Sequence, residues 1–288
     1  MKTGVVFPQT EIGEDAGGVR AYAQATEDLG YDHILAYDHV LGANEASRPG
    51  WSGAYSSESL FHEVFVLFSY IAGFTERVEF VTGVLILPQR QTALVAKQAA
   101  SLDRLSNGRL RLGIGVGWNE VEYIGLNENF SDRGKRSEEQ IAVMRRLWTN
   151  DVIEFEGKWH TIPDAGIRPL PVQQPIPVWI GGYVDATLRR VGRIGDGWFP
   201  RDQPGDKLRA DLETLAEAAR EAGRNYEEIG IEGRINLIQL PEREWGPATE
   251  AWREIGASHV SVLTMGGGLD PDGHIDLIRR YREVVGND

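Results

Sequence analysis

The chain alternates short apolar, mostly β-branched runs with longer stretches whose apolar positions recur every three or four residues. The runs at Thr3 to Phe7, His33 to Tyr37, Val78 to Leu85, Leu110 to Gly115, Pro177 to Ile180, Gly197 to Phe199, Ile231 to Leu237 and His259 to Leu263 predict eight buried strands. The helical period predicts Ala16 to Leu29, Leu60 to Thr75, Leu94 to Leu105, Ser131 to Trp148, Ala186 to Ile194, Gly205 to Ala222, Pro247 to Ile255 and Asp272 to Val285. Strands alternating with helices imply βαβ units and a parallel sheet. Eight such units point to a TIM-like (β/α)8 barrel of the α/β class rather than an open doubly wound sheet. A length of 288 residues suits one such domain spanning 1–288.

Local signals mark the boundaries. Asn107-Gly108 closes the helix before the fourth strand, and Gly30 ends the first predicted helix, since both need a residue that tolerates the left-handed conformation. Two connections are too long for plain turns, Leu41 to Ser59 and Thr149 to Gln174. The second carries Pro163, Pro169, Pro171 and Pro175, so its later half is expected to be extended and semi-rigid. Both are expected to lie over the carboxyl ends of the strands and shape a substrate mouth.

Composition narrows the class. With 41% hydrophobic residues the chain can bury one large core. It has no cysteine, which excludes disulfides and thiolate chemistry, leaves zinc only an all-His/carboxylate site, and fits a cytoplasmic location. The formal net charge of −13 is spread through helices such as Glu213 to Glu221, which favours solubility and argues against nucleic acid as a partner. No apolar run approaches about 18 residues and the first strand is too short for a signal core, so neither export nor a membrane span is expected.

In a barrel of this kind chemistry sits at the carboxyl ends of the strands. Asp38-His39 ends the second strand. His39 could carry a proton with a nearby carboxylate setting its tautomer, or the pair could simply cap a turn. Gly83-Val84 interrupts an otherwise β-branched strand, marking either a bulge against a ligand or packing against a helix. Gly113, Gly115 and Gly117 clear one side of the fourth strand and its exit. Their place at strand four, with no glycine opening a helix at the required spacing, makes a Rossmann reading poor. Two glycine clusters compete as a phosphate seat: Gly181-Gly182 before the helix from Ala186, opposed by the carboxylate of Asp185, and Gly266-Gly267-Gly268 after the eighth strand.

Several segments then carry a resemblance. Val81 to Arg90, Arg109 to Tyr123, Arg133-Gly134-Lys135-Arg136, Phe155-Glu156-Gly157, Arg168 to Gln173, Val178-Trp179-Ile180-Gly181-Gly182 and Gly195 to Pro200, in this order, resemble the luciferase-like superfamily. More narrowly the chain resembles its coenzyme F420-dependent oxidoreductases, from the first strand to the sixth and weakly beyond. The resemblance implies a barrel binding a deazaflavin or flavin at its mouth, with the ring against a third-strand bulge containing a non-prolyl cis peptide, here expected at Gly83-Val84. It also implies the cofactor phosphate on the amides of Gly181 and Gly182, Asp38 and His39 beside the ring, and His39 as the acid or base. Trp118 and Asn119 fall at the cofactor site, and Trp51, Trp118 and Tyr183 could wall the pocket. F420-dependent sugar-phosphate dehydrogenases carry a catalytic glutamate where this chain has Trp118, and their phosphate-binding basic residues are not recognisable here.

The expected activity is hydride transfer between F420 and a small-molecule substrate, and relatives of this kind imply a homodimer. Alternatives are an FMN-dependent luciferase-like monooxygenase, a non-catalytic F420- or flavin-binding protein, and a flavin-free barrel such as a lyase.

Overall fold

A computed structural model describes residues 1–286. The first half runs β1 (Lys2–Val6), α1 (Gln9–Ile12), α2 (Ala16–Asp28), β2 (His33–Ala36), α3 (Val64–Ala72), β3 (Glu79–Thr82), β4 (Leu85–Ile86), α4 (Thr92–Leu105), β5 (Leu110–Gly115), α5 (Glu120–Gly125) and α6 (Arg133–Thr149). It continues with β6 (Ile153–Glu156), β7 (Thr161–Ala165), β8 (Val178–Gly181), α7 (Asp185–Ile194), β9 (Gly197–Phe199), α8 (Asp206–Glu221), β10 (Gly230–Asn236), α9 (Trp245–Glu254), β11 (His259–Leu263) and α10 (Pro271–Val285). Parallel pairing runs β3-β2-β1-β11-β10-β9-β8-β5, and β3 pairs with β5 to close the ring. The two-residue β4 continues the third barrel strand along β5 beyond a break at Gly83 and Val84. The result is a TIM-like (β/α)8 barrel.

Period-two alternation explains both sides of the wall. Val5, Ile34, Phe80, Leu112 and Val178 point outward into the main core against the helices, while Val6, Leu35, Val81 and Met265 form a second, smaller cluster inside the barrel with Tyr37, Phe199 and Leu263 against it. Nearer the amino ends of the strands the interior is polar. Glu232 accepts from Arg111 Nη1 at 2.5 Å and from Ser261 Oγ at 2.6 Å, and its Oε1 lies 2.9 Å from His33 Nε2. His33 fills the space a side chain at Gly4 would need, its ring only 2.2 Å from where that Cβ would sit. Trp179 fills the corresponding space at Gly197 and Gly230, with the Arg111 guanidinium 4.3 Å from its ring centroid.

Element ends follow their local chemistry. Asp15 accepts from Gly17 N and Asp270 from Gly273 N, capping α2 and α10. Asn107 and Gly108 both take positive φ, as does Gly30, giving the helix stops that their residue types predict.

Two departures from the sequence pattern matter for the site. The connection Thr149 to Gln174 does not overhang the mouth: it follows a helix and precedes a strand, so it lies at the amino ends of the strands. Its first part is the antiparallel β6-β7 hairpin, and its later part runs along α4, where Asp103 accepts from Val172 N at 2.7 Å and Gln173 Nε2 reaches Leu110 O at 2.7 Å. The second mouth insertion is instead the segment after β5, which contains α5. At six residues α5 is too short to show a period.

The Glu232 network is a stability determinant with a definite sign. Burial works against the carboxylate, but Arg111 and His33 outweigh it and hold Glu232 well below its ordinary value of 4.5. A folded-state value below the unfolded one means its contribution is complete above the usual carboxylate range and is lost as pH falls through it. Glu232→Ala, which leaves Arg111 only its longer 3.8 Å contact with Glu79, is expected to cost about 3 kcal/mol in urea unfolding at neutral pH, and the gap to wild type should narrow in acid.

Candidate active site at the barrel mouth

The third-strand break shapes one side of the mouth. The Gly83-Val84 peptide is cis, at the position the resemblance implies. The chain here swings across β5 and β8, and their inward positions are glycine for that reason. A Cβ on Gly113 would lie 1.9 Å from the Thr82 carbonyl oxygen, one on Gly115 2.5 Å from Val84 Cγ2, and one on Gly181 2.9 Å from Val84 Cγ1. Thr82 Oγ1 donates to Gly113 O at 2.6 Å and fixes the register of the bulge. Gly83 itself is pressed on Leu35, whose Cδ2 lies 2.2 Å from where its Cβ would be. Val84 therefore sits on a shelf made by two bare strands.

Asp38 and His39 face different partners. Asp38 is buried, accepts from Arg90 Nη2 at 2.7 Å and from Ile86 N at 3.2 Å, and so anchors the chain just past the break. Arg90 also donates to Glu63, the N-cap of α3, at 2.7 Å. Burial disfavours the Arg90 charge, but Asp38 and Glu63 overcome this and raise its pKa. This clamp ties the ends of β2, β4 and the start of α3 together.

His39 pairs instead with Glu122 of α5, whose Oε2 lies 3.2 Å from Nδ1. Glu122 is buried and also accepts from Val40 N at 2.5 Å and Leu41 N at 3.2 Å. Burial opposes its charge, but the His39 contact and these amides hold its carboxyl below the usual range. An ionised carboxylate can only accept, so in the neutral ring Nδ1 carries the proton and Nε2 is the bare nitrogen. The carboxylate that sets the tautomer is thus Glu122, 83 positions away in sequence, and not the adjacent Asp38.

Around His39 lies an aromatic wall. Its ring centroid is 5.2 Å from Tyr55, 5.0 Å from Phe61 and 5.8 Å from Trp118. Trp118 in turn stands 5.8 Å from Trp51 of the Leu41 to Ser59 loop, and Gly53 lets that loop approach, since a Cβ there would sit 2.5 Å from the Trp118 ring. Burial pushes the Tyr55 hydroxyl up to about 12, so it stays neutral. His39, Tyr55, Phe61 and Asn119 line a cavity of about 140 Å³ beneath this loop. Asn119 Nδ2 reaches Leu41 O at 3.4 Å, while its buried Oδ1 has no partner among the described residues.

The two phosphate candidates differ. Gly266 N and Gly268 N both donate to Glu11 Oε1, at 2.9 and 3.0 Å, so that cluster already holds a carboxylate of the chain. At Gly181-Gly182 the carbonyl of Gly182 is held by Trp198 Nε1 at 2.8 Å, and α7 begins with no side-chain cap. Asp185 turns along the helix to Arg189 Nε at 3.1 Å, which answers its expected conflict with an anion. The Arg201 guanidinium lies 4.7 Å from the Tyr183 ring centroid, bringing positive charge to the same tip.

The mouth therefore brings together Gly83, Val84 and Gly181 on one side and His39, Trp118 and Asn119 on another, with Gly182 at the outer edge and Asp38 beneath. Sequence reasoning missed Glu122 and Arg90. The signal for Glu122 was available only in outline, as an acidic residue inside the unrecognised α5.

Comparison with known proteins places the family. The sequence profile of the luciferase-like monooxygenases matches residues 1–244, and the chain belongs to that family. It is an enzyme, an oxidoreductase of the luciferase-like kind. An uncharacterised protein of Mycobacterium tuberculosis is 36% identical over 208 residues, covering 70% of this chain and 71% of that one. The F420-dependent glucose-6-phosphate dehydrogenase of Amycolatopsis mediterranei is 31% identical over 223 residues, 75% of this chain but 63% of the relative. Among solved structures, an F420-dependent secondary alcohol dehydrogenase in complex with an F420-acetone adduct superimposes with TM-score 0.76 at 18% identity over 100% of both chains. A monooxygenase from Streptomyces bottropensis gives 0.76 at 19% identity over 99% of this chain and 98% of its own. These two likenesses are of fold. No helix among the described residues is long and apolar enough to cross a membrane.

Two outcomes test the geometry. In nitrogen-15 spectra the neutral form of the His39 ring should be the Nδ1-protonated tautomer, and Glu122→Ala should release it to a mixture of tautomers. Gly113→Ala should destabilise the protein by about 1–3 kcal/mol in urea unfolding, because overpacking has only a backbone carbonyl to push against.

Proposed function

We propose that the protein binds coenzyme F420 at the barrel mouth and transfers a hydride between it and a small organic substrate. The observation that carries this reading is the juxtaposition of the Val84 shelf with a histidine whose Nε2 is left bare by Glu122. The F420-dependent relatives and structural neighbours support it.

The residues present fit such a group. Val84 offers an apolar face for a flat ring, the unpartnered Asn119 Oδ1 offers a buried acceptor, and the uncapped start of α7 with Gly182 and Arg201 offers donors and positive charge for a phosphate. F420, when bound, supplies the hydride or accepts it.

The chain's own work is to position and to manage one proton. Arg90 and Asp38 hold the backbone that carries Val84, and Glu122 keeps His39 in one tautomer. Neutral His39 takes a proton at Nε2 from an alcohol, and protonated His39 returns it to an oxyanion or carbanion. Tyr55, Phe61 and Trp118 flank that ring with aromatic surface, leaving His39 partly open to the cavity from which a substrate would approach. Trp118 cannot supply a proton as a glutamate would, so His39 carries the acid-base role alone, and a glucose-phosphate substrate is disfavoured.

His39→Asn should lower turnover by about 10²–10⁴-fold with F420 affinity retained. Titration of the protein with F420 and with FMN, followed by fluorescence, tests the cofactor: saturable binding of F420 is expected. Tight FMN binding with no F420 response would favour the second reading, an FMN-dependent monooxygenase, which the monooxygenase neighbours support.

A further inference from the structure

Arg234 stands inside the barrel on β10, and its charge has no use in the chemistry above. In the ring order β1, β2, β3, β5, β8, β9, β10, β11, strand β10 is four steps from β3 in either direction and so faces the Val84 shelf across the mouth. Inward positions on β10 alternate as Glu232, Arg234 and Asn236. Glu232, one step deeper, is committed to Arg111, His33 and Ser261. Asn236 turns its Oδ1 to Ile238 N and Gln239 N of its own loop.

Arg234 is half-buried, and its one side-chain hydrogen bond among the described residues is from Nη1 to the Tyr37 hydroxyl at 2.9 Å. Its guanidinium also lies 5.9 Å from the Tyr37 ring centroid. No carboxylate among the described residues pairs with it. The other guanidinium N–H groups are not buried, so they remain open to a partner arriving from the mouth. The buried Glu232 carboxylate below it favours the charge through space, but makes no direct ion pair with it and is already shared among three other donors, so an anion entering from the mouth would be the first to meet the guanidinium directly.

From Arg234 an aromatic track leads to the acid-base group. Tyr37 lies 6.5 Å from Tyr55, and Tyr55 5.2 Å from His39. A substrate spanning this track would present an anion at one end, a flat apolar body in the middle and its reacting atom near His39. The planar fork of donors matches carboxylate and phosphate alike, but one positive charge balances a monoanionic carboxylate and leaves a phosphate dianion half-neutralised.

We propose that Arg234, assisted by Tyr37, is the specificity-determining anchor for the carboxylate of an aromatic or conjugated acid substrate. The substrate assignment rests on the reading of the mouth as a hydride-transfer site, but the anion preference is measurable without the cofactor.

Calorimetric titration of the cofactor-free protein with trans-cinnamate, its neutral amide and phenyl phosphate is the test, run beside the F420 titration. Cinnamate should bind about tenfold or more tightly than cinnamamide. Arg234→Gln should erase that preference, Arg234→Lys should retain part of it, and both variants should bind F420 as wild type does, which shows they fold. Equal affinity for acid and amide, no saturable binding of cinnamate, a preference for phenyl phosphate over cinnamate, or a preference surviving in Arg234→Gln would each overturn the assignment. Failure of wild type to bind F420 while the acid preference holds would count against the hydride-transfer reading and leave the anchor standing.

Discussion

The mouth depends on a steric exchange between neighbouring strands. The third barrel strand can swing inward only where β5 and β8 present no side chains, and Gly113, Gly115 and Gly181 leave the room that the Thr82 carbonyl and the Val84 methyls fill. These glycines therefore make space for protein, not directly for a ligand. Restoring a methyl at any of them would put a carbon within contact distance of backbone or a branched side chain, and a close-packed interior has little slack to absorb it. The shelf, its Asp38 anchor and the clamp through Arg90 to α3 all follow from that accommodation.

Charge is arranged in layers below and around this shelf. Glu232 holds Arg111, His33 and Ser261 at the amino ends of the strands, where chemistry does not happen. Glu122 performs a similar service at the mouth, but its partner histidine keeps one nitrogen free. Each carboxylate is buried, and each remains ionised because several donors converge on it. Arg234 lies between the two layers, within the field of Glu232 but in direct ion-pair contact with neither carboxylate.

The barrel was legible because its strands are buried on both faces: runs such as Leu110–Gly115 and His259–Leu263 read from sequence with the bounds the structure shows. At Gly83 the residue pattern left a bulge and packing against a helix open; the resemblance implied the bulge, and the strand does break there. Glu122 was not, because its meaning lies in a contact with His39 from another loop, and the helix carrying it has no period to read. The direction of the Thr149 to Gln174 insertion was misread because length and proline content say nothing about which end of a barrel a loop occupies; its place between a helix and the next strand does. Residue types alone left the two glycine clusters tied; the resemblance chose Gly181-Gly182, and the physical distinction, Glu11 on the amides of the other cluster, is a contact across 255 positions that no local pattern shows.

Trp51 and Trp118 come from two different segments of the mouth, one before α3 and one after β5, and their rings lie 5.8 Å apart at 45°. Two indoles that close couple their electronic transitions, and a tilted pair gives the coupling a handedness. The near-ultraviolet circular dichroism of this protein thus carries a built-in signal for the distance between the two loops. Opening of the mouth would be read as the loss of that couplet, without any added label.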